Sequence, residues 1–251
     1  MSGHSKWSSI KHKKGVADAR RGKLFSKLSR AIIVAARESG ADPAANLALQ
    51  NAIEKARSYS MPKDNIERAI ARGTGADTAA ESFEQVVYEG YGPNGVAILV
   101  EALTDNRNRT AADVRAAFAK HDGNLGGSGA VAWLFERRGV ILVDADRFDE
   151  DDVTLAAAEG GAEDVELDGS SFSVTSAPES LSAVRQALED AGIEVDSSEL
   201  TMVPRTTVEL DDESAAKKTL RLIDALEESD DVQEVYSNFD IPETVMEAVA
   251  S

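Results

Sequence analysis

Residues 139–203 read GVILVDADRFDEDDVTLAAAEGGAEDVELDGSSFSVTSAPESLSAVRQALEDAGIEVDSSELTMV. Short apolar segments in this stretch predict strands, and the longer segments between them have the three- and four-residue apolar spacing of helices. The order is strand (140–143), helix (148–159), two strands (164–167 and 171–175), helix (179–191) and strand (194–202). This β-α-β-β-α-β order predicts a ferredoxin-like α/β unit over residues 139–203.

The flanking segments predict a second α/β unit, which the first one interrupts. Residues 83–91 and 96–103 are predicted as paired strands around the turn Gly92-Pro93-Asn94-Gly95, and a helix is predicted over 110–121. After Pro204 comes a further strand (206–210), a helix (213–228) and a strand (232–237). This last run has no partner strands nearby in the sequence. We therefore predict that it returns to the sheet begun at Phe83, in a discontinuous unit of residues 80–136 plus 205–240.

Three amphipathic helices are predicted before residue 75. The first, over 17–38, has Leu24, Leu28 and Ile32 on one face. Asp42 and Pro43 predict the N-cap and first turn of the second helix, and Gly73 is predicted to end the third. The predicted fold class is α+β: an N-terminal three-helix bundle over residues 1–75 plus two α/β (ferredoxin-like) domains, one inserted in the other.

The net charge of −18 is distributed unevenly along the 251 residues. Residues 1–73 contain 15 Lys and Arg against 6 Asp and Glu, a net charge of +9, whereas residues 74–251 contain 12 against 39, a net charge of −27. A basic end on an acidic body attracts phosphate groups to that end alone. The predicted nucleic-acid-binding residues are those of the basic tail and of one face of the first helix: Lys6, Trp7, Lys11, His12, Lys13, Lys14, Arg20, Arg21, Lys23, Lys27 and Arg30.

Other interpretations of the basic end remain open. A charge run can be a solvated tail without a partner, although here the cations continue into an amphipathic helix. Trp7 and His12 lie among lysines, an arrangement that suits stacking on exposed bases of single-stranded or irregular nucleic acid. Trp7 could equally anchor the tail on the bundle.

The sequence predicts no enzyme. The chain has no cysteine and only three histidines, and no zinc-ligand spacing is present. The segment DNRNRT (105–110) is the best place for acid-base chemistry, but we favour a turn in which Asp105 caps a helix or pairs with an arginine. Gly123–Gly129 lacks the pattern of a nucleotide-binding loop. We predict no catalytic residues, metal, cofactor or small-molecule substrate. A protein-binding scaffold, built on the acidic units, is the other alternative.

The amino terminus does not resemble a secretory signal, because further Lys and His follow its first cations where an apolar stretch would be expected. No segment approaches the roughly 20 apolar residues that a membrane-spanning helix needs. We therefore expect a soluble, cytoplasmic protein without a membrane partner.

Several segments resemble the YebC family of transcriptional regulatory proteins. They are GHSKWSSIKHK (3–13), RGKLFSKL (21–28), MPKDNI (61–66), YEGYGP (88–93), LTDNRNRT (103–110) and GNLG (123–126). The resemblance spans essentially the whole chain and implies three domains, the last inserted in the second. It also implies one of two roles: a DNA-binding regulator of transcription, or a ribosome-associated translation factor that binds ribosomal RNA and relieves stalling at proline-rich sequences. Related mitochondrial proteins activate translation of cytochrome c oxidase.

Overall fold

The computed structural model describes residues 18–75 and 83–250. The first of these ranges forms three helices: α1 (Asp18–Ser39), α2 (Leu47–Ser58) and α3 (Lys63–Thr74). Their apolar faces form one core, because α1 presents a residue to it every three or four positions. Its buried members include Leu28, Ile32, Ala36, Leu49, Ile53, Ile66 and Ala69.

Two helix boundaries differ from the prediction. Asn46 is the N-cap of α2, because its Oδ1 accepts the Leu49 N–H at 3.0 Å while its Nδ2 donates to the Ala35 carbonyl at 2.7 Å. The prediction of Asp42 as that cap was wrong; Asp42 instead forms a turn with the Ala44 and Ala45 amides. Gly73 does not end α3 but packs inside it against α1, where a Cβ atom would lie 2.6 Å from the Ile33 carbonyl oxygen.

The middle unit is built on an antiparallel sheet of order β3-β1-β2-β9. Its strands are β1 (Glu84–Tyr91), β2 (Ala97–Thr104), β3 (Asn124–Leu125) and β9 (Val232–Ser237), and its helices are α4 (Arg107–Lys120) and α7 (Glu213–Glu227). The hairpin of β1 and β2 turns through Asn94 and Gly95, both at positive φ. The helices cover one face of the sheet over a core that includes Ile98, Val100, Val114, Phe118, Leu222 and Ile223.

The inserted unit contains β4 (Phe135–Asp144), α5 (Glu150–Glu159), β5 (Ala162–Asp168), β6 (Ser171–Ser176), α6 (Leu181–Asp190) and β7 (Ser197–Pro204). Its sheet is antiparallel, in the order β5-β6-β4-β7. This β-α-β-β-α-β unit has the ferredoxin-like arrangement. The chain enters and leaves it at one strand pair, since Phe135 at the start of β4 is paired with Pro204 at the end of β7.

After the insertion the chain returns to the middle unit. Strand β9 pairs with β2, but the strand predicted over 206–210 does not join that sheet. It is shortened to β8 (Val208–Glu209), which pairs in parallel with β10 (Phe239–Asp240), and this part of the prediction was wrong. A last helix, α8 (Glu243–Ala250), packs on α7. The predicted fold class, a helical bundle and two α/β domains of which one is inserted in the other, is confirmed.

Among the described helices, none combines the length and the apolar character needed to cross a membrane.

Candidate nucleic-acid interface

The predicted binding residues fall into two groups. Lys6, Trp7, Lys11, His12, Lys13 and Lys14 lie outside the described residues, as does the side chain of Arg20. Arg21, Lys23, Lys27 and Arg30 are described, and all four belong to α1. Arg21 and Lys23 are exposed, whereas Lys27 and Arg30 are partly buried.

The cations of α1 contact the C-terminal end of α7. Lys23 Nζ donates to the Glu228 carbonyl oxygen at 3.4 Å, and Lys27 Nζ donates to that of Glu227 at 2.5 Å. Arg30 Nη1 lies 2.7 Å from the Asp230 carbonyl oxygen. The last carbonyls of a helix have no partner within it and carry the negative end of its dipole, so cations are stabilised there. Part of the basic face is thus occupied by the chain itself.

Arg30 makes further contacts with the middle unit. Its Nη1 also donates to the Leu103 carbonyl at 3.1 Å and forms an ion pair with Asp231 Oδ1 at 3.0 Å. Its guanidinium carbon lies 4.7 Å from the centroid of the Phe83 ring, within cation-π distance. Since its side chain is only 19% exposed, Arg30 connects the bundle to the middle unit and offers little surface to a phosphate.

Asp231 is shared between this contact and the DNRNRT segment. Its Oδ2 accepts from Arg109 Nη2 at 2.8 Å, from Thr110 Oγ1 at 2.7 Å and from Thr104 Oγ1 at 3.2 Å. Burial alone would raise the pKa of Asp231, but the hydrogen bonds from Arg109 and Thr110 and the charges of both arginines outweigh it and lower that pKa. Asp231 therefore stays ionised at neutral pH.

The predicted pairing of Asp105 in the DNRNRT segment with an arginine is confirmed, whereas Asp105 does not cap the helix. Asn106 is the N-cap of α4, its Oδ1 accepting the Arg109 N–H at 3.1 Å, and Arg109 Nη2 forms an ion pair with Asp105 at 2.6 Å. A cleft of about 510 Å³ lies between this segment, α1 and the turn after α7. Its charged lining residues are Lys23, Arg30, Arg109, Asp105, Asp113, Glu228, Asp230 and Asp231, so carboxylates outnumber cations and the cleft does not favour an anion.

Sequence reasoning missed the exposed cations on the other helices of the bundle. Arg57 on α2 and Lys63, Arg68 and Arg72 on α3 are exposed. Lys63 Nζ lies 3.5 Å from Glu67, and Arg68 contacts Asn65. Both pairs are solvent-exposed and therefore weak, leaving these cations accessible to phosphates. Their signal in the sequence is the excess of 11 Lys and Arg over 6 Asp and Glu across residues 18–75.

A second polar cluster joins all three units. Lys55 of α2 forms an ion pair with Glu234 of β9, and Glu199 of β7 lies near both. Burial by itself would lower the pKa of Lys55, but the charges of Glu234 and Glu199 outweigh this effect. The pKa of Lys55 is therefore raised above its usual value. Glu199 is exposed, but partial loss of water around its carboxylate and the charge of Glu234 together outweigh the charge of Lys55 and raise its pKa. Burial raises the pKa of Tyr59 to about 12.

The described residues contain no group of three or more His, Cys, Asp and Glu side chains placed to hold a metal ion. The described architecture defines a class of three-unit α+β proteins, with a basic helical bundle attached to two α/β domains. The chain belongs to the YebC family: residues 5–76 match the model of the TACO1/YebC protein N-terminal domain, and residues 83–239 match that of the TACO1/YebC second and third domain.

Relatives agree with this assignment over the full length. A "Probable transcriptional regulatory protein" of Rubrobacter xylanophilus is 62% identical, and a protein of the same name from Persephonella marina is 55% identical; each alignment covers 100% of both chains. The crystal structure of a conserved hypothetical protein from Aquifex aeolicus has a TM-score of 0.80 and 50% identity, covering 90% of this chain and 93% of that one. The regulatory name is thus shared by relatives that match the whole chain.

Proposed function

We propose that this protein regulates gene expression by binding nucleic acid, without catalysing a reaction, and that its basic amino-terminal region contacts the phosphates. The observation that carries the proposal is the separation of charge, +9 over residues 1–73 against −27 over the remainder. Such a distribution orients the protein, because the acidic units are repelled by the polyanion that the basic end attracts. The names of the Rubrobacter xylanophilus and Persephonella marina relatives, both probable transcriptional regulatory proteins, support a regulatory role.

The contacts of α1 refine which cations take part. Lys27 and Arg30 are partly buried and donate to carbonyls, so they are less accessible to a phosphate than the exposed cations. Lys23 is exposed but also contacts a carbonyl, at 3.4 Å. The main contribution is therefore assigned to the lysines of the tail, to Arg20 and Arg21, and to the exposed cations of α2 and α3. Lys23 and Lys27 lie at the margin of this surface, and Arg30 positions the bundle.

The second candidate is a translation factor that binds ribosomal RNA and acts on ribosomes stalled at proline-rich sequences. Its support is the chemistry of the predicted binding residues. The cations of the tail are lysines, which act as point charges on phosphates, whereas readers of duplex sequence aim Arg, Asn or Gln at base edges. Trp7 and His12 add rings that suit unpaired bases. We therefore expect weak sequence preference on duplex DNA and tighter binding to ribosomes or structured RNA.

The salt dependence of binding tests the phosphate contacts. Changing Lys6, Lys11, Lys13 and Lys14 together to Ala should weaken binding and flatten the plot of log affinity against log salt by roughly 3–4 units, since each duplex phosphate contact contributes about 0.9. The matched control changes three lysines of the α/β units, Lys120, Lys217 and Lys218, and should leave the slope unchanged. An unaltered slope in the tail variant would overturn the proposal.

Competition separates the two candidates. The protein is offered a promoter fragment, a scrambled fragment of equal length and purified ribosomes at near-physiological salt. If the protein is a translation factor, ribosomes should displace both DNA fragments from it. A preference for the promoter over its scramble by about a thousandfold or more, typical of an operator-binding protein, would establish the transcriptional role instead.

A further inference from the structure

Two aromatic side chains are exposed beside the glycine-rich segment that follows β3. Trp133 is 66% exposed and Tyr91 is 37% exposed. Trp133 Nε1 donates to the Ala130 carbonyl at 3.3 Å, and Tyr91 Oη donates to the same oxygen at 3.0 Å. The polar groups of both rings therefore donate to the same oxygen atom, while much of the apolar surface of the rings remains exposed to water. We call Tyr91 and Trp133 the aromatic platform.

A buried carboxylate holds the backbone beneath this platform. Glu89 is only 6% exposed, and its two oxygens accept the N–H groups of Gly129, Val131 and Ala132 at 2.7–2.8 Å. Burial alone would raise the pKa of Glu89, but these three hydrogen bonds lower it, so the group is ionised. The Glu89 carbonyl also accepts the Gly126 N–H at 2.7 Å. The loop is thus fixed before any partner arrives, as binding sites on loops require.

The surroundings of the platform favour a single flat partner over a protein surface. The neighbouring loop residues Gly127, Ser128 and Gly129 are exposed and carry no large apolar side chain. Besides the two rings, Val87 of β1 is also exposed, at 47%. The exposed apolar area is still small, whereas protein interfaces use larger contiguous patches.

Two arginines lie close to the platform in the chain or through the backbone. Arg137 is exposed four residues after Trp133, and the backbone N–H of Arg205 donates to the Leu134 carbonyl at 2.8 Å, while the Arg205 guanidinium lies 3.7 Å from Glu136. Rings that stack on bases, together with cations that contact the backbone, are what proteins use to bind single-stranded nucleic acid. These cations are local exceptions in a region that is acidic overall.

We infer that the aromatic platform of Tyr91 and Trp133 stacks on an unpaired base of a single-stranded or looped nucleic acid. The inference rests on the proposed function, because the basic amino-terminal region provides the phosphate contacts that hold the strand. Phosphate binding alone gives the acidic middle unit no role. The platform gives it one, because it distinguishes unpaired bases from the closed duplex, whose bases are stacked on one another.

Fluorescence tests the inference directly, because the chain has only two tryptophans. In a Trp7→Phe background the emission reports on Trp133 alone. A single-stranded oligonucleotide should quench that emission, since a stacked base quenches an indole. An abasic oligonucleotide of equal length should bind through its phosphates without quenching. Binding of both is followed separately by the anisotropy of a label on the oligonucleotide.

Affinity provides a second measurement in the same background. Trp133→Ala should weaken binding of the single strand about tenfold, within the range for loss of one stacked base, and leave binding of the abasic strand unchanged. Trp133→Phe should restore most of the affinity. Leu155→Ala is the matched control, because Leu155 is also 66% exposed but lies on the inserted unit.

The outcomes separate the inference from the proposed function. Quenching by the base-containing strand alone, with the loss confined to Trp133→Ala, supports the platform. Normal binding without quenching, and equal affinities of Trp133→Ala and Leu155→Ala, would overturn the platform while the proposed function stands. Failure of every oligonucleotide to bind would overturn both.

Discussion

Arg30 of the helical bundle and Asp231 of the middle unit form an ion pair at 3.0 Å, and the same carboxylate accepts hydrogen bonds from Arg109 and Thr110. The side chains are 19% and 8% exposed, so the pair lies largely out of water. One carboxylate thereby connects α1, the start of α4 and the turn after α7.

Removal of this carboxylate should destabilise the protein. Asp231→Ala leaves Arg30 and Arg109 without their shared acceptor, and we expect the free energy of unfolding to fall by roughly 3 kcal/mol, as for other broken buried pairs. Urea denaturation followed by circular dichroism measures the loss. Asp230→Ala is the control, because Asp230 bonds Arg30 through its backbone carbonyl, and it should change stability by less than about 0.5 kcal/mol. Equal losses in the two variants would contradict this role of Asp231.

The stability difference between the native protein and Glu199→Gln should depend on pH. The folded-state pKa of Glu199 is raised by partial loss of water around its carboxylate and by the charge of Glu234, against the charge of Lys55, so ionisation of this group disfavours the fold; because Glu199 is exposed, solvent screening keeps the effect small. The native protein should match Glu199→Gln below the unfolded pKa of about 4.3 and become the less stable of the two as pH rises through the folded pKa. Urea midpoints at pH 4 and pH 7 test this, and a difference independent of pH would refute it.

Substitution of Glu89 should release the loop that carries the aromatic platform. In Glu89→Ala, the amides of Gly129, Val131 and Ala132 lose their acceptor, at a cost of roughly 2 kcal/mol. Hydrogen exchange at these amides should accelerate more than exchange in the sheet. Glu84→Ala on the same strand is the control, since Glu84 makes only an exposed ion pair at 3.6 Å. Unchanged exchange in Glu89→Ala would show that other contacts hold the loop.

Two glycines of the bundle should respond oppositely to alanine. In Gly73→Ala, the new methyl group would lie 2.6 Å from the Ile33 carbonyl oxygen and 2.8 Å from the Ala36 Cβ, and the helices must separate at a cost of roughly 1–3 kcal/mol. In Gly22→Ala, none of the described atoms outside the backbone of α1 lies within 4 Å of the new methyl group, and the helix should gain about 0.5–1 kcal/mol. Thermal denaturation compares the two, and a gain in Gly73→Ala would show that the close contact is easily relieved.

The fold was largely predictable because its elements carry local patterns. The strand Val232–Ser237 was predicted to the residue from its sequence pattern. The N-cap of α2 was not, because Asp42 followed by Pro43 is the stronger local signal, whereas Asn46 is selected by its hydrogen bonds to the Ala35 and Gly40 carbonyls. Local sequence patterns cannot predict contacts between segments that are distant in the sequence.

The same limit applies to the candidate interface. The periodicity of α1 placed Lys23, Lys27 and Arg30 on one polar face, which is correct. It could not show what lies opposite that face. The acceptors are carbonyls of residues 227–230, about 200 residues further along the chain. The exposed pair of Tyr91 and Trp133 was missed for a similar reason, because the residues are brought together only by the pairing of β1 and the conformation of the following loop.

Because Phe135 pairs with Pro204, the chain enters and leaves the inserted unit at the same place. Its two ends meet at one rung of an antiparallel ladder, with α-carbons roughly 5 Å apart. Any foreign domain whose termini are equally close could be grafted at this rung without stretching the middle sheet. The same geometry means that the inserted unit can be exchanged without changing the course of the chain on either side of it.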